Sequence, residues 1–233
     1  MKYIIVGLGN FGSSLGIALT SQGHEVIGID SSMQRVEAYK EVISHTICMD
    51  ATDEHTVHGL PISDTDIVVV AIGEDQGGNV MASALFKTLK AKRIISRSIN
   101  PLHEKVLQAI GVSDIVHPEK EAAKRWAKRL SMAHFVDSFS VNDDFSMVEI
   151  SIPKILIGKT VQSLNLEHKF SIRLLSIMYY DYYEGSFGHT QRTPIIQGLA
   201  MPEQILKEGD VLVVYGANKH INQFLRSVGV MAR

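Results

Sequence analysis

Cysteine is nearly absent: Cys48 stands alone among 233 residues, so no disulfide forms within one chain, which fits a reducing compartment. Long apolar runs are absent too. The longest, such as Ile67–Ile72, fall far short of the about 20 residues that span a bilayer. The apolar residues 4–9 are too short for a secretory signal and lack its basic region. Any membrane role must then come through a partner. Nor is there a basic excess: 23 Lys and Arg face 25 Asp and Glu, a formal net charge of −2, which argues against nucleic acid as a partner. Repeats and low-complexity segments are missing. Together these features predict a cytoplasmic protein. Hydrophobic residues at 45% and charged residues at 21% are ordinary for a globular chain, and the length suits one large or two modest domains.

Residues 1–133 alternate strand and helix patterns. Strands are expected at Tyr3–Gly7, Glu25–Ile29, His45–Met49, Asp66–Gly73, Arg93–Arg97 and Ile115–Val116. The first and fourth are continuous apolar runs, as in a parallel strand covered on both faces. Between them lie helical patterns at Phe11–Ser21, after Ser31 or Ser32, after a cap near Asp50 or Thr52, at Asn79–Lys90 and at Pro101–Ile110. "HPEKEAAKRWAKRLSM" follows, with Ala122, Trp126, Leu130 and Ala133 on one stripe. This alternation predicts an α/β fold: a Rossmann-like, doubly wound parallel sheet in the order 3-2-1-4-5-6. The pattern changes near Phe135–Asp143. Residues 134–233 read as a small α+β domain with antiparallel strands at 146–153, 171–180 and 209–217, helices at 160–164 and 218–228, and an exposed hairpin or loop at 181–194.

The chemistry gathers at strand ends. "GLGNFG" spans Gly7 to Gly12 between the first strand and the first helix. Gly7 permits a tight turn, Gly9 lets backbone approach a phosphate, and Gly12 lets helix pack on strand. Phosphates would sit on the N-terminal end of the Phe11–Ser21 helix, next to Asn10. The plain alternative is a tight turn without a ligand. Asp30 ends the second strand, eighteen residues after Gly12. A carboxylate there accepts from ribose hydroxyls and repels a 2′-phosphate, and it can equally cap the next helix. Asp50, Ala51 and Thr52 follow the third strand, beside the adenine end of such a crevice, where a helix cap explains them as well. Ile72 and Gly73 close the fourth strand, and the segment from Gly73 to Asn79 should line the same crevice, although plain loop glycines explain it equally; Arg97 ends the fifth strand. Glu119, in "HPE", suits a helix N-terminus on electrostatic grounds alone; the functional alternative is a cation or a neighbouring subunit's nucleotide. His55 and His58 are three residues apart, but no further zinc ligands are evident.

Read in order, the segments "IIVGLGNFGSSLGIAL", "GHEVIGID", "DAT", "VVVAIGED" and "IGVSDIVHPEKEAA" resemble the RCK (KTN) domain. "FSMVEISIP", "LIGKTVQSLNL" and "LKEGDVLVVYGANKHINQFL" resemble the attached RCK C-terminal domain. The resemblance covers nearly the whole chain, to a single-unit regulatory subunit of Trk/Ktr potassium uptake. It implies an N-terminal domain, residues 1–133, that binds ATP, ADP or NAD(H), and a C-terminal domain, residues 134–233, for dimerisation and a second ligand such as cyclic di-AMP. It also implies homo-oligomers assembling as an octameric ring, docked on the inner face of a KtrB/TrkH-like potassium transporter that nucleotide exchange gates. Carried over residue by residue, Gly7, Gly9 and Gly12 meet the phosphates, Asp30 the ribose, and Asp50 to Thr52 the adenine. Glu119 lies near phosphates or an associated divalent or monovalent cation at a subunit interface, and Asn10 and Arg97 at the pocket rim. One position departs: many ATP-responsive members carry Arg where this chain has Asn10, a neutral amide in place of a bidentate cation.

Two functional readings follow. One is a nucleotide-sensing regulator without catalysis. The other is a small NAD-dependent oxidoreductase, which needs a positioned acid or base near the nicotinamide. No such acid–base set is legible in the second domain.

Overall fold

The computed structural model describes residues 1–131, 134–184 and 190–230, with backbone alone at 128, 131, 182–184 and 190–192. Contacts divide the chain into two units, Met1–Glu121 and Ala122–Arg233. The sequence places the change after residue 133; the contacts place it earlier, inside a helix.

In the first unit six strands form one parallel sheet: β1 (Lys2–Val6), β2 (Glu25–Asp30), β3 (His45–Cys48), β4 (Ile67–Val70), β5 (Ile94–Arg97) and β6 (Asp114–Val116). Their order is β3-β2-β1-β4-β5-β6, as the alternation predicts. The helices are α1 (Asn10–Ser21), α2 (Met33–Tyr39), α3 (Glu54–Val57), α4 (Gln76–Thr88), α5 (Pro101–Ala109) and the long α6 (Pro118–Ser131). β1 and β4 show why the sheet is double-sided. Ile4 and Val6 join Val68, Val70, Phe86 and Leu107 in one buried cluster. Ile5 joins Ile67, Val69, Val26 and Ile43 in another. Successive side chains leave a strand on opposite faces, so an unbroken apolar strand needs cover on both.

Two local expectations change. The cap of α3 is Asp53, whose carboxylate accepts from the His55 N–H at 2.9 Å, not Asp50 or Thr52. Helix α4 starts at Gln76, three residues before the expected Asn79, and is capped by Asp75 through the Gly78 N–H at 2.9 Å, so Gly77 and Gly78 are helical and not loop. A capping carboxylate offset the two glycines, which lower intrinsic helix propensity.

The second unit holds β7 (Phe135–Ser140), β8 (Phe145–Ser151), β9 (Ile172–Glu184), β10 (Thr190–Leu199) and β11 (Val211–Ala217), with α7 (Val161–Leu164), α8 (Leu166–Phe170) and α9 (Asn218–Ser227). Its antiparallel order is β10-β9-β11-β8-β7. The strands at 146–153, 171–180 and 209–217 correspond to β8, β9 and β11. The segment expected at 181–194 as a hairpin or loop falls where β9 and β10 pair; its residues 185–189 lie outside the described residues, as does Ala133 of the α6 stripe. β7 goes unpredicted because its half-buried residues alternate weakly. It is fastened by the Arg125 guanidinium, which pairs with Asp137, Nε to Oδ1 at 2.9 Å. The residues of α6 from Ala122 onward belong to the second unit. Ile221, Phe224 and Leu225 of α9 pack on this sheet's core, and Phe170 meets Phe224 edge-on at 5.5 Å.

Candidate functional site

A cleft of about 550 Å³ opens at the carboxyl ends of the parallel strands. Its floor is the β1–α1 joint. Gly7 has φ +95°, and a Cβ on it would meet the Ile72 backbone N at 3.1 Å. Its N–H donates to the Ile29 carbonyl at 2.7 Å. Gly12 is more constrained: a Cβ would fall 1.9 Å from the Gly7 carbonyl oxygen and 3.1 Å from Ala71 Cβ. Gly9 differs from both. A Cβ there would meet no protein atom within 4 Å, so packing does not demand glycine; the open space belongs to the cleft. Gly9 is the N-cap of α1 and supplies no side chain, and the first turn of α1 contains no acid. The first helical bond is Ser13 N–H to the Gly9 carbonyl at 2.9 Å. Among the described residues nothing accepts from the N–H groups of Asn10, Phe11 and Gly12. The other helices along this edge are served from within: α4 by Asp75 and α5 by Asn100. The N-terminus of α1 is left for an anion.

Asp30 is buried, at 6% exposure. Its Oδ2 accepts from the Leu8 N–H at 2.8 Å and its Oδ1 from the Ser32 N–H at 2.8 Å. Arg35 Nη1 lies 3.4 Å from Oδ2. The expected double role is therefore more specific than a helix cap. Asp30 laces the glycine turn to the start of α2, and Oδ1, with one donor, keeps a lone pair for a hydroxyl. Asp50 Oδ1 accepts from both the N–H and the hydroxyl of Thr52, at 2.9 and 2.7 Å. Those bonds, the backbone one first, hold its carboxyl below the usual range. This is an Asx turn that presents the Asp50–Thr52 backbone to the cleft.

On the other side Ile72 and Gly73 end β4. A Cβ on Gly73 would lie 2.2 Å from Arg97 Nη1, so glycine makes room for the guanidinium laid over it. Arg97 also pairs with Glu119, and its Nε is buried without a partner.

Of the residues singled out from sequence, Gly7, Gly9, Asn10, Phe11, Asp30, Asp50, Ala51, Thr52, Ile72, Gly73, Arg97 and Glu119 line the cleft. Gly12 and Asn79 do not. Gly12 packs helix on strand. Asn79 is fully buried; its Nδ2 donates to the carbonyls of Ile72 at 2.9 Å and Arg97 at 3.2 Å, and its Oδ1 accepts from Ser96 at 2.9 Å. It ties the ends of β4 and β5 together and so positions the cleft wall instead of touching its contents. As for Glu119 as a metal ligand, no group of three or more His, Cys, Asp or Glu converges among the described residues, and its carboxylate is engaged by Arg97.

Arg35, Tyr39 and Met49 also line the cleft and were not singled out. Arg35 and Tyr39 stand four apart on α2, the spacing that puts two side chains on one helix face. That spacing, following a strand that ends in Asp30, is the signal that could have found them.

The cleft has the features of a nucleotide site: N–H groups at a helix end that suit phosphate, an open glycine beneath, and a buried carboxylate at the end of the neighbouring strand. Residues 3–118 match the TrkA-N domain family. The chain is 31% identical over 227 residues to the Ktr system potassium uptake protein C of Bacillus subtilis (strain 168), covering 97% of each. It is also 31% identical over 223 residues to protein A of that system and organism, covering 96% of this chain and 95% of the relative. A solved structure described as the GsuK channel bound to NAD superposes with a TM-score of 0.63 at 17% identity, over all of this chain and 40% of that one, which shows a shared fold. The chain belongs to the TrkA-N family, together with the Ktr potassium uptake proteins.

Proposed function

We propose that the chain is a nucleotide-sensing regulatory subunit of a membrane potassium-uptake system. The observation that carries the reading is the joint of β1 and α1: the N–H groups at the start of α1, which meet no acceptor among the described residues, stand beside a cleft lined by Gly9, Asn10, Phe11 and Asp30. The family, and relatives named for Ktr potassium uptake along nearly the whole chain, support the transport role. A related fold described as bound to NAD supports an adenine nucleotide as the ligand.

In this reading the N–H groups of Asn10, Phe11 and Gly12 hold the phosphates, Asp30 Oδ1 a ribose hydroxyl, and the Asp50–Thr52 turn with Met49 and Tyr39 the base. NAD(H), ADP and ATP all carry these parts. The bound nucleotide supplies charge and shape; no bond is made or broken. Gating energy comes only from a difference in affinity between two shapes of the assembly, because a ligand that fits both equally shifts nothing. Copies of the subunit form a ring, an octamer by the family resemblance, and the second unit takes a further ligand such as cyclic di-AMP. No helix among the described residues is long and apolar enough to cross a membrane; the resemblance to the family supports action at the inner face through its transporter.

Calorimetric titration with ATP, ADP, NAD and NADH tests the reading. Binding at micromolar concentrations is expected, and Asp30→Ala should weaken it at least tenfold, because both the ribose acceptor and the lacing of Leu8 are lost. No binding of any of the four up to millimolar concentrations would sink the proposal.

A further inference from the structure

The geometry points to Arg35 as the cation that reads phosphate in this cleft, with Glu74 as the carboxylate a bound phosphate displaces. The inference rests on the nucleotide reading above and adds to it a residue outside the glycine motif.

Arg35 has two partners of opposite character. Nη1 lies 3.4 Å from Asp30 Oδ2, and that carboxylate is buried and itself held by the N–H groups of Leu8 and Ser32. This partner cannot leave without unlacing the glycine turn. Nη2 lies 3.8 Å from Glu74 Oε2, whose side chain is 93% exposed on the segment between β4 and α4. That distance is beyond a hydrogen bond, and such a solvated pair contributes little. One arm of the guanidinium is anchored; the other has an exchangeable partner.

The sheet order locates the exchange. β2 and β4 flank β1, so a contact from α2 to the β4–α4 segment crosses the β1–α1 joint, where the N–H groups of Asn10, Phe11 and Gly12 await an anion. A phosphate on those groups arrives between Arg35 and Glu74. Its bonds to Nη2 are charge-assisted and stronger than the loose carboxylate pair they replace. Asn10 carries no charge, and Arg97 is laid over Gly73 and paired with Glu119. The dependence of affinity on the 5′-phosphates therefore runs through Arg35. A 2′-phosphate is the other anion an arginine beside Asp30 receives in this kind of fold; the reach of Nη2 toward Glu74, across the joint, favours the 5′ chain.

The test is calorimetric titration of the full chain and of the Arg35→Gln, Glu74→Gln and double variants with adenosine, AMP, ADP, NADH and NADPH. Arg35→Gln is expected to weaken ADP about tenfold, the scale of one charge-assisted hydrogen bond, and to leave adenosine unchanged. Glu74→Gln is expected to strengthen ADP by about two- to threefold, the scale of an exposed ion pair, and the gain should vanish in the double variant. Thermal unfolding of each variant checks that the fold is intact. An equal loss for adenosine and ADP, a Glu74→Gln gain that survives without Arg35, or a loss confined to NADPH overturns the inference while leaving the nucleotide reading standing. Wild-type protein that binds none of the five overturns both.

Discussion

His103 shows how one side chain ties the stability of the first unit to pH. It lies in the first turn of α5, is 3% exposed, and among the described residues has no partner for either ring nitrogen. Burial pushes its pKa below the ordinary histidine value. The unfolded chain, with a histidine pKa of about 6.5, therefore binds more protons than the folded one between that pH and the lowered folded value. Stability should fall as pH drops through that window and level off below it. His103→Leu should remove this part of the acid-side loss; the difference in denaturant midpoint between variant and wild type, followed from pH 8 to 5, measures it. A constant difference would mean that the ring is protonated equally in both states. Asp30 and Asn79 teach a related lesson. Both are buried polar side chains whose hydrogen bonds are satisfied: Asp30 joins the glycine turn to the start of α2, and Asn79 joins α4 to the ends of β4 and β5.

At the scale of the element, the β1–α1 joint separates glycines that look alike in sequence. Gly12 answers to packing, since a Cβ has no room beside the Gly7 carbonyl. Gly9 answers to the cleft, since a Cβ there would touch no protein atom. Gly12→Ala should cost several kcal/mol, on the scale of about 1–3 kcal/mol or more for overpacking against backbone that cannot yield, and lower the unfolding temperature accordingly. Gly9→Ala should leave the unfolding temperature nearly unchanged and weaken ADP binding by crowding the phosphate. If the two variants lose stability alike, the assignment of their roles fails. The motif and the helix after it are readable from spacing, because glycine, an apolar strand and a helical period all agree. The helical start of α4 was not: Gly77 and Gly78 read as loop, and the Asp75 cap that overrides them acts only once the chain has folded around it.

For the molecule as a whole, two cores imply two sources of stability. Phe86 is fully buried in the first unit, and Phe224 nearly so in the second. Truncating either to alanine should cost about 3–5 kcal/mol. A ligand stabilises only what it binds in folded form, so ADP should raise the calorimetric transition lowered by Phe86→Ala and leave the one lowered by Phe224→Ala. Both transitions moving together with ADP would mean that the units unfold as one. The pair of Arg125 and Asp137 bears on where one unit ends. The α6 pattern "PEKEAAKRWAKRLS" is continuous, so nothing in it signals a boundary. The division after Glu121 is visible only in the contacts of the folded chain, and Arg125 and Asp137 pair within the second unit.

By itself the sequence determined the doubly wound sheet, its strand order, the glycine turn and the acid that ends β2. These depend on local period and on the handedness of strand–helix–strand connections, which leave few arrangements open. It also carried the family, through the order of its segments. Only the tertiary structure decided which of those residues face the cleft. Gly12 and Asn79 turned inward because packing and buried hydrogen bonds claimed them. Arg35 and Tyr39 came in from α2, and Arg35 was set between Asp30 and Glu74, residues that chain separation does not bring together. Such contacts arise from where strands end in space, and no spacing along the chain encodes that directly.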